Sequence, residues 1–249
     1  MERLKLELYE YVINELKIDP EKDWEATLLL DKLLRENRVE QAVMEAKNLI
    51  KGKSAVVVGA GPSVLDDLEY LKNKGALRGS AVLSADGASL AYKEFSGINP
   101  DIIVTDLDGF PELEVEMANM GSVPFVHAHG DNMDRLLKYV PRMNLVAGTT
   151  QTRETDRVKN YGGFTDGDRA AFIACSFGAI SIYLAGMDFG NTIGRYSNLE
   201  KFGNNLERKK KKLKIGIKML EALASVCKVP IVNVSKDAVN IKGIITIKR

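Results

Sequence analysis

From Lys51 onward the chain alternates short apolar runs with stretches of helix length, and this alternation constrains the fold more than any other feature. The runs are AVVVGAG (55–61), AVLSADG (81–87), DIIVTDLDG (101–109), PFVHAHGDN (124–132), NLVAGTTQT (144–152), SIYLAGMDFG (181–190) and PIVNVS (230–235). Near-continuous apolar runs, rather than strict apolar–polar alternation, mark strands buried on both faces, as in a parallel sheet. Residues 51–249 therefore read as a doubly wound α/β domain: a mostly parallel sheet with helices on both faces.

Residues 1–50 differ. They carry no strand pattern, and Leu4, Leu8, Tyr11, Val12 and Leu16 recur at helical spacing. Asp19-Pro20 reads as an N-cap followed by proline at the first helical position, and two further amphipathic stretches run to Ile50. The expected role of this helical N-terminal segment is packing or a dimer contact without chemistry, which leaves a homo-oligomer open.

Composition excludes several classes. A formal net charge of +1 gives no general attraction to nucleic acid or membrane. No apolar run approaches the roughly 20 residues needed to span a bilayer. The N-terminus is charged and amphipathic rather than a signal peptide, so the chain reads as cytoplasmic. Cys175 and Cys227 are the only cysteines. Cys175 lies in the apolar run AAFIACSF and is expected to be a buried, inert thiol.

Nearly every strand run ends in a polar or glycine-rich turn. In open α/β sheets the ligand sits outside the carboxyl ends of the strands. This chain places Asp86, Asp106, Asp108, Asp131, Asp188, His127 and His129 there. One Asp at such a position is a helix cap; the set converging on one edge would repel, and invites a divalent cation.

VVVGAGPSV (56–64) follows a strand and opens a helix, so Gly59, Gly61, Pro62 and Ser63 are candidates for nucleotide or phosphate binding. Asp86 stands where a ribose-binding acid would stand in a dinucleotide fold, but Val64 replaces the third glycine. Thr149, Thr150 and Gln151 end the fifth run and join the same candidate set. There is no P-loop. In VTDLDGF (104–110) the pair Asp106-x-Asp108 suits Mg²⁺, which takes oxygen ligands and bridges to substrate phosphates. His127 and His129 form an H-x-H, but the chain has no further histidine for an amidohydrolase metal centre. They are expected instead as pocket residues, at least one contacting substrate or phosphate. GGFTDGDRA places Asp166 and Asp168 at a helix start. GMDFGNTIGRYSNLEKFGNN (186–205), with Arg195 and Lys201, is long enough for a lid over an anionic ligand. The basic run 208–212 reads as a solvated helix face.

Taken in order, GAGPS, ADGAS, TDLDG, HAHGDN, GFTDGDRA and AGMDFG make residues 50–240 resemble the archaeal 6-hydroxymethyl-7,8-dihydropterin pyrophosphokinases. The domain is also similar to that of motility-associated glycosyltransferases and, more distantly, to thiamin pyrophosphokinase. The resemblance implies that 51–249 is a catalytic domain that transfers diphosphate from ATP to a pterin hydroxymethyl group with Mg²⁺ and releases AMP. It carries metal binding to Asp106 and Asp108, and makes Thr165-Asp166 similar to a T-D segment of the thiamin enzymes. Asp131, Asn132, Asp166, Asp168 and Asp188 are the candidate substrate contacts, with Phe164 or Phe189 stacking the pterin. A sugar transferase and a non-catalytic nucleotide-binding module are the alternatives.

Overall fold

Successive side chains of a strand point to opposite faces, so a strand apolar throughout needs cover on both. The computed structural model describes residues 2–190, 192, 194–197, 206–236 and 238–249. Its N-terminal segment forms three helices, α1 (Glu2–Leu16), α2 (Pro20–Leu33) and α3 (Glu36–Ile50). The strands β1 (Ser54–Val58), β2 (Ala81–Ala85), β3 (Ile102–Thr105), β4 (Val123–His127), β5 (Ala147–Thr149), β7 (Ser181–Ala185) and β8 (Ile231–Asn233) fall in the seven apolar runs. Two further strands, β6 (Val158–Lys159) and β9 (Ile245–Thr246), are two residues each, too short to leave a periodic signal. Between the strands lie α4 (Val64–Asn73), α5 (Ala88–Ser96), α6 (Pro111–Asn119), α7 (Met133–Tyr139), α8 (Asp166–Ser176) and α9 (Leu206–Val226).

Every strand pair is parallel, in the order β6-β5-β4-β3-β2-β1-β7-β8-β9. The chain builds outward from β1 to β6 and then crosses to the other side of β1, so strand order reverses between β1 and β7. Ala55 and Val57 of β1 pack in a core shared with α1, α3, α8 and α9. Val56 and Val58 pack on the opposite face against α4 and α5, and α2, α6 and α7 cover that face near β4. The N-terminal helices thus share both cores of the sheet.

Helix starts follow their local chemistry. Asp19 accepts from Glu21 N–H at 3.1 Å ahead of Pro20, and Thr165 with Asp168 forms a capping box on α8. One expectation is overturned. Cys175, in the last turn of α8, is bonded to Cys227 just beyond α9, with Cα atoms 6.2 Å apart. The two helix ends are packed neighbours, a proximity that a separation of 52 residues conceals. Among the described residues no helix is long and apolar enough to cross a membrane.

Candidate active site

A cleft of about 500 Å³ runs along the carboxyl edge of the sheet. Turns after β5, β4, β3, β2, β1 and β7 all reach it. Five inter-strand steps of ~4.8 Å make it roughly 24 Å long. The start of α8, Lys212 and Leu213 of α9, and the α1–α2 corner from Leu16 to Asp23 complete its walls. Among the described residues, the non-glycine residues with positive φ are Lys17 (55°), Asp86 (45°), Leu107 (64°) and Phe189 (54°). Three of them line the cleft, and Leu107 lies between Asp106 and Asp108. Backbone held in this sparsely allowed region concentrates where side chains must be aimed.

The middle of the cleft is acidic. One carboxylate oxygen from each of Asp86, Asp106 and Asp108 lies within 4.8 Å of the other two. Asp86 Oδ1 accepts from Gly109 N–H at 3.0 Å, and a Cβ on Gly109 would collide with this carboxylate. Behind it, buried Glu114 of α6 accepts from Thr105 Oγ1 at 2.9 Å. Burial, then Glu114 and Asp106, push the Asp86 carboxyl well above the usual range. Burial followed by Asp106 and Asp86 does the same to Asp166, and burial lifts Glu114 to about 7. Carboxyls crowded in this way keep protons until positive charge replaces them. Three converging hard oxygen donors, without sulfur, fit a divalent cation of the Mg²⁺ type.

Both histidines have a defined tautomer. Arg169, fully buried, presents Nη2 3.2 Å from His127 Nε2. Guanidinium only donates, so Nε2 accepts and Nδ1–H points to Thr149 Oγ1 at 3.1 Å. Burial, then Arg169, depresses the His127 pKa well below its usual value. This imidazole is neutral, with both nitrogens committed. His129 Nδ1 accepts from Asp131 N–H at 3.2 Å, so Nε2–H donates to Asp106 Oδ2, also at 3.2 Å. The H-x-H pair therefore orients Asp106 and pairs with the buried Arg169.

The cleft gathers most of the residues singled out from sequence: Gly59, Gly61, Pro62, Asp86, Asp106, Asp108, His127, His129, Asp131, Gln151, Asp166 and Asp188, with Phe164 and Phe189. Five lie outside its lining, with their polar atoms engaged elsewhere. Ser63 donates to Asp67 at 2.6 Å, and Thr149 meets His127. Thr150 pairs with Thr27 at 2.8 Å. Asn132 donates to the carbonyls of Asp106 and His127 and accepts from His129 N–H. Asp168 caps α8.

The glycine turn also departs from expectation. Gly59 N–H donates to Ala185 O and Gly61 N–H to Gly186 O, both at 2.8 Å. A Cβ at Gly61 would sit 2.0 Å from Asp188 Oδ2. These glycines let β1 and β7 turns interlock, and both N–H groups are used in doing so. Of the loop cations, Arg195 pairs with Glu94 at 2.9 Å, and Lys201 lies outside the described residues.

Sequence reasoning missed the α1–α2 corner, Glu114, Arg169 and Lys212. Asp23, 2% exposed, accepts from Tyr9 Oη (2.9 Å), Gln151 Nε2 (2.7 Å) and Gly130 N–H (2.8 Å). It fastens α2 to the turns after β4 and β5. A signal existed: Asp23, Ala26, Thr27 and Leu30 form one helical stripe, all buried. Arg169 likewise stands out as a charge entering the apolar run AAFIAC.

The chain was compared with known families, curated proteins and solved structures. The family model described as 6-hydroxymethylpterin diphosphokinase MptE-like matches residues 30–194. A Pyrococcus furiosus protein named 6-hydroxymethyl-7,8-dihydropterin pyrophosphokinase is 43% identical over 217 residues, 86% of this chain and 90% of its own length. A protein of the same name from Methanocaldococcus jannaschii is 40% identical, covering 76% of this chain and 80% of its own. Among solved structures, the MAF glycosyltransferase of Magnetospirillum magneticum aligns with a TM-score of 0.47 at 18% identity. That alignment covers 85% of this chain and 38% of the glycosyltransferase.

Proposed function

Because this chain belongs to the MptE-like 6-hydroxymethylpterin diphosphokinase family, we propose that it is a pyrophosphokinase acting on 6-hydroxymethyl-7,8-dihydropterin, in the making of a tetrahydromethanopterin- or folate-type cofactor. ATP supplies the diphosphate, Mg²⁺ assists, and AMP is released. The observation that carries the reading is the carboxylate cluster halfway along an elongated cleft. It leaves an end for each of two substrates and puts the charge-handling groups where they meet.

In this reaction the pterin hydroxymethyl oxygen attacks the β-phosphorus of ATP. The bond from that phosphorus to the α–β bridging oxygen breaks, AMP departs with the electron pair, and the hydroxyl proton is lost. Such transfers need positioning and charge neutralisation more than covalent help. Asp86, Asp106 and Asp108 are the residues that would hold Mg²⁺, which when bound neutralises phosphate charge. His129 fixes the rotamer of Asp106 through its Nε2–H. His127 is not available as the base that takes the hydroxyl proton, because Arg169 and Thr149 occupy both nitrogens. Lys212 of α9 faces the cleft and adds positive charge beside Asp166.

The test is to incubate the purified chain with ATP, Mg²⁺ and the pterin and to separate the nucleotides. AMP and a pterin diphosphate should form together and stop on addition of EDTA. Formation of ADP, or of AMP without regard to the pterin, would remove the assignment.

A further inference from the structure

The two ends of the cleft differ in charge and in hydrogen-bonding character. At the β4–β5 end stands Lys22, packed against Gly130 of the turn after β4; Lys17 at the end of α1 also lines the cleft, and Lys212 lies beside Asp166. None of these three ammonium groups has an ion pair among the described residues. Among the described lining residues contributed by the turns after β1 and β7 there is no cation. The N–H groups of Gly59 and Gly61 are bonded to β7 carbonyls, and Pro62 has none. The carboxylate already at the start of α4 is that of Asp188, whose Oδ2 lies 3.5 Å from Ser63 N. A polyphosphate placed here would meet the Asp188 carboxylate, and the N–H groups of both turn glycines are already engaged.

This end instead lacks a donor. Asp188 is 4% exposed and lines the cleft, and its Oδ1 is buried with no hydrogen-bond partner among the described residues. A buried carboxylate oxygen left unmet costs free energy unless a ligand supplies an N–H or O–H. Met187 and Phe189, the neighbours of Asp188 in the chain, also line the cleft and give an apolar and aromatic surface suited to a flat ring. Resting on the pyrophosphokinase reading, we propose that Asp188 determines specificity for the acceptor. It receives the N–H donors of the pterin amino-pyrimidinone edge at the β1–β7 end, while ATP lies toward the lysine-bearing β4–β5 end. This reverses the placement that a glycine-rich β1 turn suggests, and the phosphates still cross the carboxylate cluster from the opposite side.

Each substrate can be titrated alone, because neither turns over without the other: the pterin by its fluorescence, and ATP with Mg²⁺ by calorimetry. Asp188→Asn should weaken pterin binding on the order of 10- to 100-fold, as expected for losing a hydrogen bond to a charged acceptor. It should leave ATP affinity within about twofold, a margin well below the effect of one such bond. Lys22→Gln should do the converse. A pterin with hydrogen in place of its 2-amino group should bind the unaltered protein more weakly by a similar factor, a result that does not depend on how the variant folds. Weakened ATP binding in Asp188→Asn with unchanged pterin binding would overturn the proposal, and so would full-strength binding of the deaminated pterin. Absence of pterin-dependent AMP formation by the unaltered protein would remove the underlying reading and this subsite with it. AMP formation with pterin binding indifferent to Asp188 would remove the subsite alone.

Discussion

Replacing Asp23 with Asn tests whether the N-terminal helices are part of the working site. The carboxylate is 2% exposed and accepts three hydrogen bonds, two on Oδ2 and one on Oδ1. An amide in its place keeps one oxygen. The better orientation leaves that oxygen with Tyr9 and Gln151 and turns the NH₂ toward Gly130 N–H, donor against donor. Setting the part-buried Gly130 N–H against another donor costs on the order of 1–3 kcal/mol, and the two remaining bonds lose their charge assistance. The total is about 3 kcal/mol, and at ~2–4 °C per kcal/mol for a chain of this size Tm should fall roughly 6–12 °C. Tyr9→Phe removes one neutral donor and should cost about 1 kcal/mol. Its effect should shrink in the Asp23→Asn background, because the two residues share one bond. Scanning calorimetry at pH 7 measures all four proteins. Because Lys22 and Gly130 border the same contact, the KM for ATP should also rise. A Tm within about 1 °C of the unaltered chain would refute the argument, since one mismatched donor together with two weakened bonds on a 2%-exposed side chain costs more than that.

Asp106→Asn and Asp108→Asn should each lower turnover by about 10²-fold or more while the melting curve is retained, the scale of a lost metal contact in the transition state. Near-normal turnover in both would reduce D-x-D to a shaped turn. Glu114 gives a pH test on protein kept in EDTA. Its folded pKa, about 7, lies above the ordinary 4.5, so its contribution is fully present below about 4.5 and is lost as pH rises through 7. Glu114→Gln should therefore narrow the stability gap between pH 5 and pH 8 by on the order of 1–3 kcal/mol in denaturant titrations. Superimposable pH profiles would count against it.

The sheet was legible because parallel strands buried on both faces leave apolar runs, and because their turns collect polar residues at one edge. Asp106, Asp108 and the histidines were found that way. What the histidines do was not legible, since a tautomer depends on partners such as Arg169 and Asp131 N–H that only the fold brings up. Glu114 is one of three glutamates in PELEVEMAN, and nothing local separates it from Glu112 or Glu116. Periodicity marked the stretch after Asp19-Pro20 as amphipathic but not what its apolar face would cover, so a wall of the cleft was read as a packing segment without chemistry. The turn after β1 misled in another way. Close backbone packing and phosphate binding both require glycine, and only the partners of the N–H groups distinguish them.

Strand order also governs how the protein is assembled during synthesis. β1 emerges first and becomes the middle of the sheet, and β2 to β5 can pair outward from it in the order in which they are made. Its other edge must wait until Ser181–Ala185 has left the ribosome. Through that interval the growing chain carries an apolar strand with an open row of backbone donors and acceptors, the condition that invites pairing with the wrong chain. The interlocked turns of Gly59, Gly61 and Gly186 close only when β7 docks, so the β1–β7 end of the cleft is completed late. An arrested chain ending before β7 would expose its central strand and depend on a chaperone to remain monomeric.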